Sequence, residues 1–116
     1  MIITNISIVN TIAIENIVMV IAHGLPGQWK SVTFHTRNAS GDLANVDSAS
    51  IKIKDPTDTT RVSYTAANLV NEDTGKYKYD FQIPTVVVEG DWYIEITATI
   101  GSRESVRTAH FEVSLT

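Results

Sequence analysis

The sequence predicts an all-β chain folded as a two-layer antiparallel sandwich, and three observations predict it. In the two most regular stretches the hydrophobic residues recur with a period of two, the spacing of a strand with one buried face. Turn-forming residues divide the chain at short, fairly even intervals. The length of 116 residues suits one domain that can bury a core of its own, and there is no cysteine to staple it.

The first strands are expected from Ile2 to Val9 and from Ile12 to Ala22, because branching at Cβ restricts χ1 and disfavours helix. Much of this segment is apolar on both faces. An edge strand of that kind invites pairing with another chain unless something covers it. The segment is either enclosed within its own domain or covered by a neighbouring subunit. In the second arrangement Ile2, Ile6, Ile8, Ile12, Ile14, Val18 and Val20 form an oligomer interface. The segment lacks the basic start of a secretory signal, since no Lys or Arg precedes Lys30. Asn5, Asn10, Glu15 and Asn16 interrupt the run of about 20 apolar residues that a spanning helix needs. Residues 1–24 are therefore taken as an apolar strand arm and 25–116 as the sandwich.

Within the sandwich, Lys30 to Thr36 places Val32 and Phe34 inward, and Ser48 to Lys54 places Ile51 and Ile53 inward. Arg61 to Tyr64 offers Val62 and Tyr64. Lys76 to Ile83 is the clearest run: Tyr77, Tyr79, Phe81 and Ile83 share one face, with Lys76, Lys78, Asp80 and Gln82 on the other. From Asp91 to Thr99, Trp92, Ile94, Ile96 and Ala98 alternate with Tyr93, Glu95, Thr97 and Thr99. Arg107 to Val113 closes the series with Ala109, Phe111 and Val113. The punctuation lies at Gly24 to Gly27, Ser40 to Asp42, Asp55-Pro56, Asn71 to Gly75, Pro84, Gly90-Asp91 and Gly101, and Ala66 to Val70 could make a short turn. Strands at this spacing, about seven or eight in all, point to a sandwich or a barrel, and the expected form is an immunoglobulin-like antiparallel β-sandwich with an apolar N-terminal strand extension.

Charge narrows the possible partners. A net charge of −4 and a pI near 5.2 leave no excess of cations for phosphates, and the basic residues are scattered singly. Neither nucleic acid nor an anionic membrane is expected as a partner.

Chemistry is not expected either. The sequence has no cysteine nucleophile, Gly-x-Ser-x-Gly elbow or phosphate-binding glycine loop, so no enzyme and no cofactor are expected. His23, His35 and His110 stand far apart, and the last two fall on outward strand positions, so no metal site is assigned. Asp42, Asn45 and Asp47 lack the alternating spacing and distal Glu of an EF-hand and read as turn residues. Asp55-Pro56-Thr57-Asp58 reads as a hairpin connection. Trp29 and Tyr93 fall out of phase with the buried set and are candidate exposed aromatics. With Asn38, Asp42, Asp58 and Glu89 they make up the candidate partner-contact positions, on loops around 38–42, 55–59 and 86–90.

Four motifs recur together. They are Ser50-Ile51-Lys52-Ile53-Lys54-Asp55-Pro56, Thr74-Gly75-Lys76-Tyr77-Lys78-Tyr79, Gly90-Asp91-Trp92-Tyr93 after Pro84, and Phe111-Glu112-Val113. Over residues 28–113 the chain resembles the immunoglobulin-like domains of tailed-phage virion proteins. The resemblance implies a homo-oligomeric virion component assembled in the host cytoplasm, at the head–tail neck or stopper, in the tail, or as capsid decoration. Its partners would be its own copies and other virion proteins. Similar glycine–aromatic strand entries occur in bacterial surface sandwiches and macroglobulin-type domains. The alternative is accordingly a cell-surface or secreted module that binds a receptor or glycan through its loops.

Overall fold

The structure, a computed structural model, describes residues 12–19, 23–65, 69–85 and 88–114. Among them are nine strands: β1 (Ala13–Met19), β2 (His23–Gly24), β3 (Trp29–Arg37), β4 (Ser48–Lys54), β5 (Thr60–Thr65), β6 (Val70–Asp73), β7 (Lys76–Gln82), β8 (Gly90–Ile100) and β9 (Arg103–Val113). They form two sheets. The first has the order β1-β3-β7-β6 and the second β2-β9-β8-β4-β5. Every described pairing between these strands is antiparallel except β2 with β9, where His23 lies opposite Glu112 and Gly24 opposite Val113 in parallel register.

The core is the one that period-two spacing predicts. Val32, Phe34, Phe81 and Ile83 of the first sheet and Ile53, Trp92, Ile94, Ile96 and Ala98 of the second are all 0% exposed, with Tyr77, Tyr79, Phe111 and Val113 close behind. Each Val, Ile or Phe among them contributes about 1.5–3 kcal/mol when removed from water. Phe81 and Phe111, from opposite sheets, bridge the layers with their rings 5.8 Å apart, and Trp92, the cross-strand neighbour of Phe111 in its own sheet, lies 6.3 Å from it. The indole N–H of Trp92 donates to the carbonyl of Val88 at 2.6 Å, so its one polar atom is satisfied.

Three features depart from the sequence reading. Residues 71–75 were expected to be a turn, but Val70–Asp73 is a strand paired with β7, and only Thr74 and Gly75 turn. All four of its residues are exposed, so no alternation marks it. The last strand starts at Arg103, four residues earlier than Arg107, and pairs with β8 without a break from Gly90↔Val113 to Ile100↔Arg103. The third concerns the arm. Ala13–Met19 pairs with β3 of its own chain, which makes it an edge strand of the first sheet. Ile12 and Ile14, proposed above as residues of an oligomer interface, are 3% and 0% exposed in their own core and cannot meet a neighbour. The β1 register breaks between Glu15 and Val18, where Asn16 takes φ 52 as a bulge. Beyond that bulge Val18 is 55% exposed. Ile2, Ile6, Ile8 and Val20, together with the expected strand from Ile2 to Val9, lie outside the described residues.

Candidate interaction surface

Register fixes which loops share an end of the sandwich. Gly90 lies opposite Val113, which lies opposite Gly24, and Gly90 stands close enough to Pro56 that a Cβ there would come within 2.9 Å of its ring. The 55–59 loop, the start of β8 and the 25–28 turn therefore gather at one end. The 38–42 loop lies at the other, because Asn38 follows the far end of β3.

The 55–59 loop is built on Asp55. Its carboxylate is buried and accepts from the Thr57 hydroxyl at 2.6 Å, from the backbone N–H groups of Thr57 and Thr59 at 2.8 and 3.1 Å, and from Arg61 Nε at 2.7 Å. The Thr57 hydroxyl foremost, then Arg61 and the two backbone donors, hold Asp55 at about 2 against the opposing effect of burial. The sequence reading had this segment as a hairpin connection and did not single out Asp55 or Arg61. An Asp followed by threonines two and four positions later is the signal that could have found this anchor.

From this loop Asp58, held at φ 65, reaches the outer face of the second sheet and accepts from the Tyr93 hydroxyl. That bond, helped by partial burial and by the charges of Asp58 and Glu95, pushes Tyr93 up to about 12. Tyr93 sits in a cross-strand row between Lys54 and His110. The Lys54 ammonium lies 5.8 Å from its ring centre and the His110 ring 5.4 Å away. His110 Nδ1 in turn lies 2.9 Å from Asp91 Oδ2. Lys54, itself partly buried, approaches partly buried Glu95 at 3.8 Å and exposed Asp58 at 3.9 Å, both long ion-pair distances. Of the expected contact positions, Asp58 and Tyr93 are therefore brought together. Exposed Glu89 lies on the loop before β8 at the same end, and Val86 and Val87 beside it lie outside the described residues.

The other candidates are separate. Trp29 is 65% exposed on the outer face of the first sheet, as its phase predicted. On the same face Val18, Thr33, Lys78 and Val70 form a row across four strands, with Val70 56% exposed. At the far end, Asn38 Oδ1 accepts from the N–H groups of Ser40 and Asp42 at 3.0 and 3.1 Å, so Asn38 shapes its loop while Asp42 stands in solvent. Asn45 Oδ1 accepts from Gly75 N at 2.8 Å and Asp47 Oδ2 from Gly101 N at 2.6 Å, the backbone-capping work expected of turn residues. His35, 3.0 Å from Asn16, and His110 lie on the outer faces of opposite sheets. Among the described residues no three His, Asp or Glu side chains converge on a point that could hold an ion. Leu25, Val70 and Val106, exposed by 43%, 56% and 48%, were not foreseen as surface residues, since lone apolar residues carry no periodic signal.

Comparison with protein families and with curated proteins finds no match. Solved structures do match. A DUF4785 family protein from Legionella pneumophila aligns with a TM-score of 0.60 at 16% identity, over 89% of this chain and 28% of that one. The trypsin-activated alpha-2-macroglobulin of Escherichia coli aligns with a TM-score of 0.63 at 17% identity, over 91% of this chain and 7% of that one. The Lin-41 filamin domain aligns with a TM-score of 0.57 at 14% identity, over 88% of this chain and 95% of that domain. The chain thus spans about a quarter or less of the two bacterial proteins and nearly all of the filamin domain. Identities this low speak for architecture alone, and the architecture is an immunoglobulin-like, filamin-like β-sandwich.

Proposed function

We propose that the chain is a non-enzymatic contact module that works in a homo-oligomeric assembly, and that this assembly is a tailed-phage virion, with the chain at its neck, in its tail or on its capsid. The observation that carries the contact role is the set of large apolar side chains standing outside the core. Trp29, Val18 and Val70 are 65%, 55% and 56% exposed on the outer face of one sheet. Val18 and Val70 are set apart by Thr33 and Lys78, so the support comes chiefly from Trp29, a large indole in water whose apolar body and N–H suit contact with another molecule. Four of the acidic and amide side chains, by contrast, are occupied with loops: Asp55, Asn38, Asn45 and Asp47 each hold backbone in place. The virion reading rests on the sequence resemblance. Its motif residues fall where the sandwich needs them, with Asp55-Pro56 closing β4, Thr74-Gly75 turning into β7 and Trp92 opening the buried face of β8.

Light scattering after size exclusion, with negative-stain images of the same sample, tests this. A discrete oligomer, in rings or on particles, is the expected result. A monodisperse monomer at high concentration refutes self-assembly.

Exposed Trp29 also favours a second reading, a surface or secreted binding module that stacks a sugar on that indole. Glycan-array binding that disappears in Trp29→Ala would select it over the first.

A further inference from the structure

Three of the sandwich's strand edges carry devices that discourage pairing. The β1 edge is bulged at Asn16, the short β6 breaks register between Asn71 and Asp73, and β5 joins β4 through a register shift at Ile53 and Lys54. The β9 edge has no such break. It pairs with β8 along all eleven residues, yet on its other side the described residues partner only Glu112 and Val113, through β2. The Ser114 N–H donates to Gly24 O at 3.1 Å, which fixes the side that each backbone group of β9 faces. Period two then turns the N–H and C=O of Glu104, Val106, Thr108 and His110 to that same side. No described residue meets them there.

The first described strand, β1, runs beside β9. Arg107 Nη1 donates to Ile14 O at 3.2 Å, and further along His23 lies opposite Glu112. Passing from residue 14 to 23 thus moves from 107 to 112, so the early chain and β9 run in the same direction. From Ile14 back to Ile12, where the described residues begin, the chain therefore runs towards the end of the sandwich that holds the turn of Gly101 and Ser102. No Gly or Pro occurs before Gly24 to reverse it. Extended, Ile2–Val9 spans roughly 26 Å, and the stretch from Glu104 to His110, unpaired on that side among the described residues, spans roughly 23 Å.

We propose that Ile2–Val9 of one copy adds as a strand to the Glu104–His110 edge of β9 in a second copy. The donor is rich in β-branched residues on both faces, with Ile2, Thr4, Ile6 and Ile8 on one and Ile3, Asn5, Ser7 and Val9 on the other, the composition of a strand that is paired and covered. The proposal rests on the self-assembly reading and names the surfaces that carry it out.

The chain has no cysteine, so single cysteines can be introduced without background. Asn5→Cys, Ile6→Cys and Ser7→Cys, at the middle of the donor, are each mixed with tagged Thr108→Cys and oxidised. Because Thr108 is central in the acceptor, the result does not depend on strand orientation. The expected product is a disulfide-linked pair of the two different variants, from at least one donor position. Thr108→Pro removes an edge N–H but none that faces β8, and is expected to reduce the oligomer at least tenfold while the melting transition remains cooperative. An oligomer that persists with no cross-link overturns this edge and leaves self-assembly standing. A link that forms only within the Ile6→Cys/Thr108→Cys double variant places the arm on its own molecule and overturns the exchange. A monomeric parent protein removes both proposals.

Discussion

Arg61 closes the loop after β4 by donating from Nε to the buried carboxylate of Asp55, at 2.7 Å. Asp55 is held at about 2 in the fold, against an ordinary 3.8. A carboxylate whose folded value lies below its unfolded one stabilises the fold above the unfolded value and stops doing so as pH falls through the folded one. Asp55→Asn should therefore melt well below the parent protein above about pH 4, with the gap closing towards pH 2. Thermal melts of both proteins across that range check it, and a gap that does not change with pH refutes it.

Tyr93 titrates in the opposite sense. Its raised value near 12 reflects the hydrogen bond to Asp58, so this contribution is complete below about pH 10 and is lost as pH rises through 12. Ultraviolet titration should show one tyrosine ionising near 12. In Asp58→Ala that tyrosine should return towards 10, while the overall fold is retained.

The two tryptophans should separate cleanly. Trp92 fills the core against Phe111, and Trp92→Ala should cost about 3–5 kcal/mol in denaturant unfolding. Trp29→Ala removes a side chain that stands in solvent and should change stability by no more than about 0.5 kcal/mol. Acrylamide quenching should strike Trp29 in the parent protein and leave Trp92 largely protected.

Gly75 turns the chain into β7 at φ 69, and a Cβ there would lie 2.7 Å from Thr36 O and 2.8 Å from Ala44 N. Both neighbours are backbone and cannot swing aside. Gly75→Ala should destabilise the protein by about 2–3 kcal/mol, combining the left-handed penalty with displaced backbone. A melt unchanged from the parent would refute that geometry.

What could be read in the residues, and what could not, follows from where the physics leaves a periodic mark. Tyr77, Tyr79, Phe81 and Ile83 alternate with charged and amide residues because one face meets the other sheet, and Trp92 to Ala98 alternate for the same reason. Val70–Asp73 left no such mark, since every residue of it is exposed and Asn71 and Asp73 are common in turns. The first residues of β9 were equally silent, because Arg103, Glu104 and Val106 are all exposed and show no alternation. β1 posed a different problem. Its apolar residues said that it must be covered, and only coordinates could say that Ile12 and Ile14 are covered by their own chain. Of the surface, the exposure of Trp29 was legible from phase, whereas the contact between Asp58 and Tyr93 depends on a loop folding back on Asp55.

The parallel pairing of His23 with Glu112 also sets an order of events. On a ribosome, residue 23 appears long before residue 112, and this ladder cannot close until nearly all of residues 23–114 have emerged. Sandwiches dominated by such distant pairings fold on the order of milliseconds to seconds, and this one closes only once its last strand is available. Until then the isoleucine-rich beginning of the chain is exposed beside every other nascent copy, so chaperone supply and expression rate, as much as final stability, would govern how much protein reaches its native form.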